Sequence, residues 1–171
     1  MGGRKLKKSL AISITSFFAT LYAVITIVET ILGGPLSYGV IQVRISDALL
    51  PLPMVFGLPA AFGLFIGCII ANAYYMLSPL DIMFGSFANL ISGILSAKFN
   101  GGSALLAAVY PVIVVTLIVG SYLTILFPEV PLWLIYIGVG TGEIIACFII
   151  GIPLLKTVQR LFKGRYLFNI M

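Results

Sequence analysis

Apolar residues run almost without interruption along this chain, and the breaks fall at glycine, proline and isolated charges. A helix needs about 20 apolar residues to cross the hydrocarbon of a bilayer. Runs near that length lie at about 9–32, 60–77, 80–97, 104–127 and 132–155. Gly33-Gly34-Pro35, Gly57-Leu58-Pro59, Asn100-Gly101-Gly102-Ser103 and Pro128-Glu129-Val130-Pro131 separate them as turns. A shorter run at about 47–56 contains Pro51 and Pro53 and reaches only ~15 Å as a helix, so it is read as a short or kinked second element. The pattern predicts an all-α polytopic bundle of six helices in a single transmembrane domain spanning 1–171.

One strip departs from the pattern. Between Gly39 and Pro53 the polar residues Gln42, Arg44 and Ser46 alternate with Val43 and Ile45, the period of an extended segment. Ser46 then reads as the N-cap of the second element, with Asp47 in its first turn. A polar strip between oily runs costs free energy unless it has a task. It is read as part of a solute-binding site.

Composition sharpens the class. The chain is 61% hydrophobic and 9% charged, against about 25% charged in a soluble domain. The net charge of +5 comes from the ends, where Arg4, Lys5, Lys7 and Lys8 precede the first span and Lys156, Arg160, Lys163 and Arg165 follow the last. The positive-inside rule places both termini in the cytoplasm and makes nucleic-acid binding a poor reading of these clusters. An even number of spans agrees with that placement and also puts Lys98 inside. The first apolar run is too long for a cleaved signal and is expected to stay.

With that topology Glu29, Arg44, Asp47, Asp81 and Glu129 gather at the outer end, while Glu143 lies about half-way along the sixth span. A carboxylate there costs at least ~2.5–3.5 kcal/mol on insertion scales. Glu143 follows the glycines of Gly138-Val-Gly140-Thr-Gly142, which permit close approach of a helix or a ligand. It is a structural acid held by a neighbouring helix, or an acceptor or counter-ion for a polar solute. Asp81 either caps the fourth span or contacts solute. Asn72 and Asn89 either join helices or read a ligand edge. Arg44 and Asp47 either pair with each other at the surface or face the site. Tyr38, Trp133 and Tyr136 read as interfacial anchors. Cys68 and Cys147 read as packing residues. In the first span Ala11, Thr15 and Ala19 form a small-residue stripe, with Ser16 and Thr20 beside it. Such a stripe serves packing inside the bundle or docking of a partner helix.

Absences narrow the function. There is no histidine, no P-loop and no catalytic constellation, so neither an enzyme nor a zinc site is expected, and no cofactor. A bundle without its own motor couples to an ion gradient or borrows an energy source.

The motifs together resemble a known family. Gln42-Val-Arg44-Ile-Ser46-Asp47, the Leu-Pro-rich segment after it, Gly63-Leu-Phe-Ile-Gly67-Cys-Ile-Ile-Ala71-Asn72, Asp81-Ile-Met-Phe-Gly85-Ser86 and Gly142-Glu143 look like the QueT family in the same order. These are substrate-binding (S) components of energy-coupling-factor (ECF) transporters assigned to queuosine precursors. The family pattern carries Glu after Arg-Ile-Ser, where this chain has the shorter Asp47. The resemblance implies a six-helix S-component fold and a pocket near the outer face, closed by the connection between the first two spans. It implies a 7-deazaguanine substrate contacted by residues among Glu143, Asp81, Arg44, Gln42, Asn72, Asn89 and Asp47. It also implies a cell-membrane complex with a transmembrane coupling subunit, contacted by Ala11, Thr15 and Ala19, and with two cytosolic ATPases. Three competing readings stay open: an S component for another vitamin-like solute, a stand-alone ion-coupled transporter, and a structural membrane protein.

Overall fold

The computed structural model describes residues 8–33, 38–39 and 42–162. The break at Gly34-Pro35 and the basic residues Arg4, Lys5, Lys7, Lys163 and Arg165 lie outside them. Six helical elements make up the described chain, and no strand occurs among the described residues. Helix α1 spans Lys8–Gly33. The apolar element α2, Ile45–Phe56, opens as a 3-10 turn at Ile45–Leu49 and closes as one α-turn at Pro53–Phe56. Helix α3 spans Leu58–Tyr75, α4 spans Ser86–Lys98 and α5 spans Ala104–Leu126. Helix α6 spans Leu132–Leu161.

Four of these, α1, α3, α5 and α6, are long and apolar enough to cross a membrane. Leu32, Ile125, Trp133 and Ile149 point outward, while the polar residues Thr26, Asn72, Asp81 and Asn89 point inward. That inside-out distribution suits lipid as the surrounding solvent.

Proline and glycine set the shape of α2. Pro51 and Pro53 cannot donate to a helical ladder. Gly57 ends α2 with φ 72°, a backbone region where a side chain is strained, and α3 starts directly after it. The expected inner turn therefore narrows to one residue, because Leu58 and Pro59 already form the first turn of α3.

Helices α1 and α3 pack backbone to backbone. A Cβ on Gly63 would stand 2.5 Å from the Thr15 carbonyl, and one on Gly67 would stand 2.6 Å from the Ala19 carbonyl. The glycines let the two backbones touch. Thr15 adds a hydrogen bond from Oγ1 to the Pro59 carbonyl at 3.0 Å. Thr15 and Ala19 thus serve packing inside the bundle, and Ala11 is half-exposed. Ser16 and Thr20, one position further round, are exposed.

Helix α5 carries Pro111 inside it. Its missing N–H leaves the Ala107 carbonyl without a helical donor, and Ser96 of α4 donates to that carbonyl at 2.7 Å.

Candidate functional site

The polar residues converge at the end of the bundle where α1 and α3 finish. Two wide π-helical turns carry part of this polar layer, Asp81–Gly85 before α4 and Ile145–Gly151 within α6. Such turns recur at functional sites because they re-aim side chains.

Residues 42–44 form an extended strap that leads into α2. Gln42, Arg44 and Ser46 are buried while Ile45 is exposed, as the alternation predicts. The polar side faces the bundle and the apolar side faces out. Ser46 is not the N-cap of the 3-10 turn. The flanking position is Arg44, without a side-chain cap, and Glu29 of α1 instead accepts from the Ile45 N–H at 3.0 and 3.1 Å. Ser46 accepts from Thr26 at 2.7 Å.

The strap rests directly on α6. A Cβ on Gly142 would stand 1.7 Å from the Gln42 carbonyl oxygen. The glycine next to Glu143 therefore admits the chain's own backbone.

Two clusters lie beneath the strap. In the first, Arg44 Nη2 is 3.5 Å from Asp81 Oδ1, with side chains 5% and 1% exposed. Tyr122 of α5 donates to the same Asp81 oxygen. Asn72 of α3 donates from Nδ2 to the Asp81 carbonyl at 2.9 Å. The guanidinium carbon lies 4.5 Å over the Tyr38 ring, which stacks on Tyr75 with centroids 4.0 Å apart. Burial opposes the charge on Arg44, but its neighbours, Asp81 first, outweigh that and hold the guanidinium above its ordinary range. Burial pushes the Tyr38 hydroxyl up to about 12, so it stays a neutral donor, 3.1 Å from the Ala71 carbonyl.

In the second cluster, Tyr22 of α1 donates to Asp47 Oδ1 at 2.6 Å. Cys147, one turn after Glu143, lies 3.4 Å from the Asp47 carbonyl and 3.6 Å from Glu143 Oε2. Glu143, Asp47 and Cys147 are all buried.

Several expectations need correction. Arg44 and Asp47 are not a surface pair: both are buried, Arg44 meets Asp81 and Asp47 meets Tyr22. Asp81 does not cap the fourth helix, since Ser78 Oγ accepts from the Leu80 N–H and the Asp81 side chain points inward. Tyr38 is a buried platform and not an interfacial anchor: Arg44 lies over its ring and Tyr75 stacks on it. Trp133 is exposed. Cys147 does more than fill space, since its thiol touches the Asp47 backbone carbonyl and the Glu143 carboxyl group. Tyr22, Tyr75 and Tyr122 do not stand out from the pattern. The available signal was a phenol within an apolar span, whose hydroxyl needs a partner.

The buried polar residues have two unbalanced features. Three buried carboxyl groups, Asp47, Asp81 and Glu143, face one buried guanidinium, Arg44. Asn72 Oδ1, Asp81 Oδ2 and Asn89 Nδ2 are buried without a hydrogen-bond partner among the described residues. Buried polar atoms are nearly always paired, so each orphan asks for an explanation. No cluster able to hold a metal occurs among the described residues.

The family model described as QueT transporter matches residues 12–160. No curated protein and no solved structure gives a significant match. The chain belongs to the QueT transporter family, and it is a multi-pass membrane protein.

Proposed function

We propose that this member of the QueT transporter family is the solute-binding S component of an ATP-driven ECF importer, and that its solute is a 7-deazaguanine queuosine precursor. One observation carries the reading: the bundle interior combines an excess of buried carboxyl groups with unpartnered donors and acceptors. A small polar ring bearing an ammonium group complements both features. It supplies hydrogen-bonding edges for the orphans and a cation for the acids.

In this reading Gln42 and Arg44 form the inner side of a lid, and Asp81, Asn72 and Asn89 read the ring. Glu143 and Asp47 hold the ammonium. The site opens to the outer face, and both basic termini lie in the cytoplasm. Energy comes from two cytosolic ATPases through a transmembrane coupling subunit. That subunit meets the outward face of α1, where Ala11, Ser16 and Thr20 are accessible. Thr15 and Ala19, bound to α3, set the shape of that face from behind.

A thermal-shift panel on the purified protein tests the solute. Deazaguanine bases should raise the melting temperature, and unrelated vitamins should not. Stabilisation by another vitamin-like solute alone would refute the substrate class and keep the S-component role.

The adjoining acids Asp47 and Glu143 favour one competing reading, a stand-alone transporter in which they couple solute to protons. It requires uptake by proteoliposomes that hold this chain alone and a proton gradient. The S-component reading predicts none without the partner subunits.

A further inference from the structure

Glu29 is the only acid in α1, and none of the solute contacts proposed above uses it. Its carboxylate is spent on backbone, since both oxygens accept from the Ile45 N–H, at 3.0 and 3.1 Å. This bond is the outermost of three along one face of α1. Tyr22 donates to Asp47 Oδ1 at 2.6 Å, Thr26 donates to Ser46 Oγ at 2.7 Å, and Glu29 takes the Ile45 N–H. Steps of four and three residues keep Tyr22, Thr26 and Glu29 on one stripe of the helix. Asp47, Ser46 and Ile45, consecutive at the start of α2, therefore climb α1 in order, over roughly 10 Å of helix axis at 1.5 Å per residue.

The three bonds differ in exposure. Tyr22, Thr26, Ser46 and Asp47 are buried. Glu29 is half-buried, and the Ile45 side chain is 47% exposed. Solvent-exposed backbone bonds open at far lower cost than buried ones. The row therefore parts first at Glu29, next to Arg44 and the strap.

We propose that Glu29 is the latch of the strap: it positions the strap by holding the Ile45 N–H, and breaking that bond lets solute pass in either direction. The inference rests on the reading of the strap as the lid of a solute site. The latch bond joins α1 to the chain's own backbone and includes no group assigned to the solute. It stabilises the closed strap equally with and without solute, and a contact equal in both states shifts no binding equilibrium. The latch thus governs rates and leaves affinity alone.

Each side of the bond can be removed separately. Ile45 is the first residue of its 3-10 turn, and Arg44 before it is already extended, at φ −104° and ψ 107°. Proline fits such a position, so Ile45→Pro deletes the N–H without bending the chain. Glu29→Ala deletes the acceptor, and Glu29→Gln keeps one acceptor oxygen without the charge.

The test is stopped-flow binding of 7-aminomethyl-7-deazaguanine to the full chain in nanodiscs, with hydrogen–deuterium exchange of peptides covering 42–50 measured without ligand. Glu29→Ala and Ile45→Pro should each raise the association and dissociation rates together, by about tenfold or more, because a hydrogen bond to a charged group is lost. Kd should stay within about threefold of wild type, since both states lose the same bond. Glu29→Gln should fall between, as a neutral acceptor bonds less strongly. Added to Ile45→Pro, it should change the rates by less than about twofold, because the shared bond is already gone. Exchange should quicken at 42–50 in every variant and stay unchanged in α3 and α5. Unchanged dissociation in both single variants, or faster dissociation with Kd weakened in step, would overturn the latch and spare the solute. Exchange that quickens throughout the bundle would also overturn it, by making the bond merely structural. Wild type that does not bind the ligand would overturn the solute reading; the exchange data then decide the latch, and unchanged exchange at 42–50 would overturn it too.

Discussion

The guanidinium of Arg44 lies 3.5 Å from the carboxylate of Asp81, and both side chains are buried. This joins the strap between α1 and α2 to the π-turn that opens α4. Removing one partner of a buried pair strands the other, at about 3–5 kcal/mol. Arg44→Ala and Asp81→Ala should each lower the melting temperature sharply, and the double substitution should cost less than their sum. A double-mutant cycle read by thermal denaturation checks this. Strict additivity would mean that the two side chains do not support each other.

Gly142 sets how closely the strap lies on α6. Alanine is the better helix former, by about 1 kcal/mol, so Gly142→Ala should leave the helix intact. Its methyl group would nonetheless overlap the Gln42 carbonyl, 1.7 Å from the ideal Cβ position. The strap must then lift. Ligand should dissociate at least about tenfold faster, read by stopped-flow release, because affinity changes are expressed mainly in the off-rate.

Glu143→Gln keeps the shape of the side chain and removes its charge. Charge-assisted hydrogen bonds are roughly twice as strong as neutral ones. The variant should lose about 10- to 100-fold in affinity for an aminomethyl-bearing deazaguanine and clearly less for the uncharged base. Equal losses for both ligands, in parallel titrations, would remove Glu143 from the ammonium site.

The two faces of α1 should respond differently. Ala19→Leu drives a larger side chain toward the Gly67 contact, and overpacking typically costs 1–3 kcal/mol. Stability should fall. Ser16→Leu and Thr20→Leu alter an exposed face and should leave solute binding unchanged while reducing ATP-driven uptake by the assembled complex. Unchanged uptake would place the coupling face elsewhere.

Much of this was legible in the sequence. Apolar run length located the long helices, and Pro51, Pro53 and Gly57 marked α2 as short. Polar residues inside oily runs, such as Asn72, Asp81 and Glu143, stood out because burying them is expensive. Alternation indicated that Gln42 and Arg44 point the same way. Partners were not legible, because pairing is a tertiary property. Nothing local to Arg44 distinguishes nearby Asp47 from distant Asp81. The glycine before Glu143 announced a close approach but not that the strap makes it. Helical periodicity placed Ala11, Thr15 and Ala19 on one stripe, but it could not tell whether that stripe faces α3 or the outside. Tyr22 and Tyr122 were hidden for another reason: aromatic residues are ordinary in apolar helices, and only the structure shows their hydroxyls on carboxylates.

The most direct test of the central claim is calorimetric titration of 7-aminomethyl-7-deazaguanine into the isolated protein in nanodiscs. We predict saturable one-to-one binding without partner subunits or ATP, weakened by Glu143→Gln and by Gly142→Ala. A folded protein that gives no binding heat and no thermal shift with this ligand would contradict the account.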